Sequence, residues 1–350
     1  MKLLICTQKV DKNDPILGFF HRWIIEFAKY FESVIVICLQ KGEYDLPQNV
    51  EVLSLGKEVQ KNTQDLIHNI QNRFNYMVQC YAYAWNERAN YDVVFVHMNP
   101  VYIIFLGPIW KILKKKIVFW YTHKHVDFKL RIAEKIVDKI FTASKESFRL
   151  KSKKVEIVGH GIDTDFFVPG SIRENNTVTV ISVSRISPTK NQLFMIQAIE
   201  MLKQKKIFTN LIIVGGPITS DDYLYDKKIR DYVVKQDLSG IISFIGPVAP
   251  IDIPMLYQKA DIFLNLSSTG SLDKAVLEAM SCNLQVITSN EAFSSIFTTV
   301  HMTDNTVVDI ASKIEAMSKI SPDVDAREYV VRNHNLTLLI PRLVSLMEKI

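Results

Sequence analysis

Two successive series of short β-branched apolar runs, each separated by stretches of helical periodicity, constrain this chain more than any other feature. Lys2–Thr7 is an apolar run, Leu17–Phe31 repeats its apolar residues at helical spacing, and Ser33–Leu39 is again β-branched and apolar. This rhythm predicts βαβ units built on a parallel sheet. Further strands are expected at 50–55, 91–97, 116–122, 139–142 and 155–158, with helices at 61–88 and 125–137 and Ser144 as the N-cap of a short helix. Between Gly159 and Asn176 the pattern lapses into Gly-His-Gly-Ile-Asp-Thr-Asp-Phe-Phe-Val-Pro-Gly and then starts again. Strands are expected in this second series at 177–184, 210–214, 241–244, 262–264 and 284–288, and helices at 191–205, 221–235, 252–259 and 272–282. The expected organisation is a Rossmann-like domain over residues 1–160, a linker over 161–176 and a second Rossmann-like domain over 177–335. A carboxyl-terminal helix over 336–350 can cross back to the first domain. In open parallel sheets ligands sit beyond the strands' carboxyl ends, so the loops after strands in both halves should line a cleft.

Length and composition narrow the class. A chain of 350 residues can bury two ordinary cores. The nearest approach to a membrane span, Val101–Leu113, is broken by Gly107-Pro108 and ends in Lys114-Lys115-Lys116. The start, Met1-Lys-Leu-Leu-Ile-Cys followed by polar residues, does not suit a signal peptide, and the expected location is cytoplasmic. Cys6, Cys38, Cys80 and Cys282 lie in apolar surroundings without metal-ligand spacing, which predicts reduced, buried thiols and no metal site. Charge is divided unevenly: residues 1–155 carry 24 Lys+Arg against 15 Asp+Glu, a net of +9, leaving −4 for the remainder. The clusters Lys111, Lys114–Lys116 and Lys151, Lys153, Lys154 suit an anionic membrane surface or a lipid phosphate; equally, lysines simply solvate helix ends. No nucleic-acid partner is expected. No G-x-G-x-x-G follows the first strand of either half, which disfavours a nicotinamide dehydrogenase.

Two segments carry chemistry. Residues 269–287 join a glycine-bearing turn to a helix with one acidic residue, Glu278, among apolar ones, and run directly into a strand. The helix amino end offers free amides between Ser271 and Ala275 to a phosphate, and Glu278 can accept hydrogen bonds from a ribose diol. The structural alternative is that Ser271 caps the helix, Asp273 complements its dipole and Glu278 is a helix-paired acid. Some eighty residues earlier, the strand at 177–184 runs into Arg185-Ile-Ser-Pro-Thr-Lys190-Asn191. A guanidinium and an ammonium at a strand's carboxyl end can clamp a diphosphate; the alternative is a solvated helix start with Pro188 in its first turn.

Taken in order, these segments resemble the retaining glycosyltransferases of family 4, which have the two-domain GT-B architecture of parallel-sheet α/β domains facing a central cleft. The likeness is carried by Gly159-His-Gly-Ile-Asp-Thr-Asp-Phe166, Ser184-Arg-Ile-Ser-Pro-Thr-Lys190, Leu211-Ile-Ile-Val-Gly-Gly-Pro217, Phe244-Ile-Gly-Pro-Val248, Leu256-Tyr-Gln-Lys-Ala-Asp261 and Leu277-Glu-Ala-Met-Ser-Cys282. The resemblance implies metal-independent, cofactor-free transfer of a sugar from a nucleotide-diphosphate sugar to a carbohydrate or lipid-linked acceptor, in cell-surface polysaccharide or glycolipid synthesis. The first domain would bind acceptor and the second donor. Arg185 and Lys190 would bind the diphosphate, Glu278 the ribose, and Gly215, Gly216, Pro247 and Val248 the rest of the donor nucleotide. The loop Gly270, Ser271, Leu272, Asp273, Lys274 would face the donor sugar and phosphate. His123, at the end of the strand expected over 116–122, is the leading candidate at the reaction centre, ahead of His97 and His125. Gly18 matches a family glycine near phosphate and acceptor, and Phe19-Phe20-His21-Arg22-Trp23 would line an acceptor channel, dip into a bilayer or belong to the core. Asp163-Thr-Asp165 has the form of a metal motif but falls where the family has a similar connection with no metal role. One departure stands out: the family carries a second glutamate eight residues before Glu278, where this chain has Gly270. That departure motivates a second possibility, a catalytically silent regulatory or scaffolding protein that binds nucleotide sugar. An epimerase of the same fold finds no support in these motifs.

Overall fold

The computed structural model describes residues 1–57, 66–171, 177–267, 270–320 and 324–350. The chain divides into two compact units, Met1–Gly161 with Leu336–Ile350, and Ile162–Asn335.

The first unit contains β1 (Leu3–Val10), α1 (Phe19–Ala28), β2 (Val34–Lys41), β3 (Val50–Ser54), α2 (Leu66–Asn86), β4 (Val93–His97), α3 (Pro100–Ile112), β5 (Lys116–Trp120), α4 (Phe128–Ile136), β6 (Lys139–Thr142) and β7 (Val155–Ile157). Its strands form one parallel sheet in the order β3-β2-β1-β4-β5-β6-β7. Strands such as β4 are buried along their whole length, so they read as continuous apolar runs, yet successive side chains still point to opposite faces. Leu3, Ile5, Val93, Phe95, Val118 and Trp120 share one core with Phe20, Trp23, Ile24 and Phe27 of α1. The last helix of the chain, α11 (Leu336–Glu348), joins that core through Leu339, Ile340 and Leu343. Leu4, Cys6, Val94, Val96, Ile117 and Phe119 face the other core, covered by α2, α3 and α4.

Several local expectations change. The apolar run at 101–113 is helix α3, capped by Asn99 and started by Pro100, and its Gly107 lets α4 come close, since a Cβ there would lie 2.5 Å from Ile136 Cγ2. The expected start of α2 at Lys61 lies outside the described residues. Ser144 opens only a turn, its Oγ accepting from Ser147 N at 3.3 Å. The aromatics of α1 are largely core: Phe20 and Trp23 are buried and His21 Nε2 accepts from Asp45 N at 3.1 Å. Most of the clustered lysines are engaged: Lys111 pairs with Asp138, Lys115 reaches Tyr91 O, Lys116 reaches the end of α11, and Lys154 caps α4 through the carbonyls of Glu134, Lys135 and Val137. All four cysteines are buried and none is in a disulfide, and burial pushes the Cys80 and Cys282 thiols up to about 12.

The second unit holds β8 (Val178–Val183), α5 (Gln192–Gln204), β9 (Thr209–Val214), α6 (Ser220–Lys235), β10 (Ile242–Gly246), α7 (Ile253–Tyr257), β11 (Ile262–Asn265), α8 (Lys274–Ser281), β12 (Gln285–Thr288), α9 (Val307–Met317) and α10 (Val324–His334). Its sheet is also parallel, in the order β10-β9-β8-β11-β12. The helix expected over 252–259 is the five-residue α7, preceded by a 3-10 turn at Pro250–Asp252. Residues 163–167 pack into this unit: Asp163 Oδ1 accepts from Phe166 N at 3.1 Å, so the Asp163-Thr164-Asp165 stretch is a turn, and Phe167 enters the core.

Candidate functional site

Both sheets reverse direction of build-up once, between β1 and β4 and between β8 and β11, and such switch points leave a crevice at the carboxyl edge where a ligand fits. In the second unit the loops after β8, β9, β10, β11 and β12 emerge at that edge.

Backbone bonds lock three of them side by side. Ser184 N donates to Val214 O at 3.0 Å, Ile186 N to Gly216 O at 3.0 Å, and Gly215 N to Gly246 O at 2.8 Å. Gly215 has φ +123, and a Cβ there would lie 2.0 Å from Ser184 O. Only glycine permits this approach. Gly216 likewise brings Pro247 close, since its Cβ would meet Pro247 Cγ at 3.0 Å. Arg185 is exposed on this edge, and its backbone carbonyl accepts from Gln192 Nε2 at 2.9 Å, which leaves the guanidinium to project from a fixed base. It faces the start of α6. Burial raises the Asp222 carboxyl, but bonds from Thr219 and Ile218 outweigh this and hold it low, with Arg185 adding to the effect.

Lys190 ends a 3-10 turn, Pro188–Lys190, whose last residue is followed by Asn191 in the left-handed region at φ 52. Asn191 Nδ2 donates to Leu266 O at 3.0 Å, tying the turn across the switch point to the loop after β11. Lys190 Nζ donates to Ser267 Oγ at 2.9 Å and lies 3.6 Å from Asp273 Oδ1. Asp273 in turn accepts from Asn265 Nδ2 at 3.2 Å and Asn290 Nδ2 at 3.3 Å, while Asn290 Nδ2 also reaches Ser271 O at 2.7 Å. Thr288 Oγ1 completes the set by donating to Asn265 Oδ1 at 3.0 Å. The ammonium is thus aimed by three neighbouring strands' ends.

The helix itself differs from expectation. It starts at Lys274, not near Ser271, so Ser271 is not its cap. Asp273 occupies the cap position without a capping bond, because its carboxylate is turned to Lys190, Asn265 and Asn290. Gly270 sits at φ 62, a conformation that disfavours glutamate. Leu272 is buried in the core beneath this loop, which anchors it. Glu278 is buried on α8, where Lys274 bonds its Oε1 and Tyr257 OH donates to Oε2 at 3.4 Å. A carboxylate has about four acceptor positions, so those two bonds still leave capacity for a diol. Val248 packs against the same core as α8. Asn265, Asn290, Ser267 and Tyr257 were not singled out from sequence; the one available signal was a polar residue closing an apolar strand, Ile-Phe-Leu-Asn265.

In the first unit the strand expected to reach Thr122 ends at Trp120, so His123 lies in the following loop. It is exposed, and its Nδ1 accepts from His125 N at 3.1 Å. Partial burial lowers its pKa, and His125 and Lys124 add to this. Neutral imidazole with Nδ1 accepting must carry its proton on Nε2, so His123 presents a hydrogen-bond donor. The His125 carbonyl accepts from Tyr121 OH at 3.1 Å, and the His125 ring meets the His123 ring edge-on with centroids 6.4 Å apart. His97 is different. It is buried at the end of β4, stacked on Phe20 with ring centroids 3.9 Å apart, bonded to Thr7 Oγ1 at 3.1 Å, and pushed down to about 3 by burial and by His160. That is a core histidine. Gly18 stands at the N-cap position of α1 with φ −59, a conformation open to any residue, and its N–H donates to Asp14 O at 2.9 Å. Among the described residues no group of three or more His, Cys, Asp or Glu is arranged to hold a metal ion.

Residues 163–321 match the family model described as Glycosyl transferases group 1. The chain is 34% identical over 146 residues to the capsular polysaccharide biosynthesis glycosyltransferase CapH of Staphylococcus aureus, covering 41% of this chain and 39% of that protein. It is 25% identical over 147 residues to the UDP-Gal:alpha-D-GlcNAc-diphosphoundecaprenol alpha-1,3-galactosyltransferase of Escherichia coli, covering 39% of this chain and 37% of that protein. The chain thus spans well under half the length of these relatives. The crystal structure of Anabaena Alr3699/HepE, in complex with UDP and glucose, matches over 100% of both chains at 15% identity with a TM-score of 0.76. Across its whole length the chain has the GT-B fold of two parallel-sheet α/β domains, and most of its second unit matches the model of the group 1 glycosyl transferases.

Proposed function

We propose that the protein is a retaining, metal-independent glycosyltransferase that moves a sugar from a nucleotide-diphosphate sugar to a carbohydrate or lipid-linked acceptor in cell-surface polysaccharide or glycolipid synthesis. The observation that carries the proposal is the aimed Lys190. A cation fixed by Ser267 and Asp273 at the switch point, with Arg185 exposed on the same edge, suits a leaving diphosphate. Negative charge grows on that diphosphate as the glycosidic bond breaks, so preorganised cations stabilise the transition state more than the bound donor. Glu278 would accept from the ribose hydroxyls, held in place by Lys274 and Tyr257. The base would rest by Gly216, Pro247 and Val248. His123, presenting Nε2–H, would donate to a sugar hydroxyl or to the departing oxygen.

The relatives support this reading in kind: the name of CapH states capsular polysaccharide synthesis, that of the Escherichia coli protein states galactose transfer from UDP-Gal to a diphosphoundecaprenol-linked GlcNAc, and the Anabaena structure holds UDP and glucose. The test is a thermal-shift and turnover panel of nucleotide-diphosphate sugars on wild type and Lys190→Ala, with and without chelator. One donor should stabilise wild type, be turned over regardless of chelator, and do neither in the variant, with the product's anomeric configuration matching the donor's. A donor that binds both proteins equally would refute the role of Lys190. Nucleotide binding without turnover of any donor, with acceptor lipids supplied, would instead favour a silent regulatory protein, the reading that Gly270 motivates.

A further inference from the structure

Helix α2 is apolar on two sides. One side, with Cys80 and Ala84, packs into the core of the first unit. The other carries Phe74, Val78, Tyr81 and Trp85, all exposed, at spacings of four, three and four residues, which stack them in one stripe along the helix. Phe74 is 61% exposed and Trp85 47%. The stripe continues onto α3, where Phe105 and Ile112 are exposed, the latter by 78%, and Tyr81 OH bonds Phe105 O across the two helices. Soluble proteins rarely leave so many large apolar side chains contiguous in water without a use for them.

Charge indicates what covers this face. Neither α2 nor α3 contains a single Asp or Glu. Arg73 lies on α2, Glu87 and Arg88 lie just past its end and Lys114 just past the end of α3, while Lys111 of α3 is paired with Asp138. Arg88 stacks its guanidinium 4.7 Å from the Trp85 ring centroid, a tryptophan and cation paired at the rim of the stripe. Apolar side chains flanked by Arg73, Arg88 and Lys114, with Trp and Tyr among them, match the boundary between headgroups and acyl chains of an anionic membrane. A second copy of the chain suits the face less well, because a two-fold contact would bring the same cations together with no acid from either helix. No described helix is long and apolar enough to cross a membrane, so the contact would be peripheral.

We propose that the outer face of α2 and α3 docks the protein on the surface of an anionic bilayer, with Phe74, Val78, Tyr81, Trp85 and Ile112 entering the headgroup region. This docking is independent of the donor site and would hold even if the transferase activity were disproved.

The chain provides its own probe. Of its four tryptophans, Trp23, Trp110 and Trp120 are buried and only Trp85 is exposed, so a blue shift of emission on adding vesicles reports this face. Vesicles of phosphatidylcholine with and without phosphatidylglycerol would be floated with wild type, Phe74→Ser/Trp85→Ser, Arg73→Gln and Trp85→Phe, each checked by far-UV circular dichroism and size-exclusion chromatography. Wild type should bind the anionic vesicles with a blue shift and bind less as salt rises. The double variant, altered only at exposed positions, should bind more than about tenfold more weakly, since two large apolar side chains no longer leave water on binding. Arg73→Gln should weaken binding a few-fold, and Trp85→Phe should keep binding but lose the shift. Failure to bind, binding indifferent to anionic lipid, bound protein without a blue shift, or equal binding by the double variant would each overturn the proposal. So would a dimer in solution that the double variant dissolves, which would assign the face to a second copy.

Discussion

Three glycines of the second unit separate backbone conformation from steric contact, and Gly215 is where both act. Gly240 has no positive φ and nothing within 4 Å of where a Cβ would stand; Gly246 has φ +81 and equally open space; Gly215 has φ +123 and a carbonyl oxygen, Ser184 O, 2.0 Å from its Cβ position. Alanine at Gly240 should therefore be neutral or stabilise by about 0.4–1 kcal/mol through the unfolded chain. At Gly246 only the left-handed penalty applies, about 1–2 kcal/mol. At Gly215 roughly 1–3 kcal/mol of backbone strain adds to roughly 1–3 kcal/mol of overpacking, because the obstacle is main chain and cannot rotate away. Moving Ser184 aside would also stretch its 3.0 Å bond to Val214 O and displace Arg185. Urea unfolding followed by far-UV circular dichroism is the assay, because all four tryptophans lie in the first unit and their fluorescence would not follow the second directly. The midpoints should fall in the order Gly240→Ala, Gly246→Ala, Gly215→Ala, and only the last should also lose nucleotide-induced stabilisation. Equal midpoints for Gly215→Ala and Gly240→Ala would refute the close approach of the two loops.

Three more expectations concern the site and the first core. Asp273→Asn keeps the shape of the network but removes the charge that aims Lys190, and should weaken nucleotide binding several-fold, whereas Lys190→Ala should abolish it; calorimetric titration showing no change for Asp273→Asn would remove Asp273 from the site. Gly270→Glu places a carboxylate at φ 62, where the sequence resemblance implies one, and should lose about 1–2 kcal/mol of stability without gaining turnover, which thermal unfolding and a donor-hydrolysis assay would check. His97 stays neutral in the fold down to about pH 3, while in the unfolded chain it takes up a proton near pH 6.5. Its depressed pKa means stability is fully present above pH 6.5 and is lost as pH falls from there toward 3, by up to about 1.4 kcal/mol per pH unit. His97→Gln should flatten that slope in a pH series of urea unfolding; an unchanged slope would show that His97 is not buried neutral.

Much of the architecture is local in origin. A strand buried on both faces must be apolar throughout, and a helix between parallel strands must carry an apolar stripe, so β1, α1 and β2 are visible in any window a few residues wide. Arg185 and Lys190 are visible for the opposite reason, as charges placed where a strand ends and a helix begins, and Glu278 as the one acid of a largely apolar helix. Element ends are less legible: α8 begins at Lys274 because Asp273 finds Lys190, Asn265 and Asn290, and those partners come from three separate strand ends. No local pattern encodes that choice. The same limit explains the lysines. Lys116 and Lys154 look like solvated charge in sequence, but the fold brings them to carbonyls at the ends of α11 and α4. By itself, then, the sequence determined the strand and helix order, the split into two parallel-sheet units and the types of charge at the strand ends, because these follow from the period and polarity of neighbouring residues. Only the tertiary structure decided that His97 is core while His123 is presented, that Gly215 is pinned against Ser184, and that the apolar stripe of α2 faces water, because each depends on which distant segment comes to lie beside it.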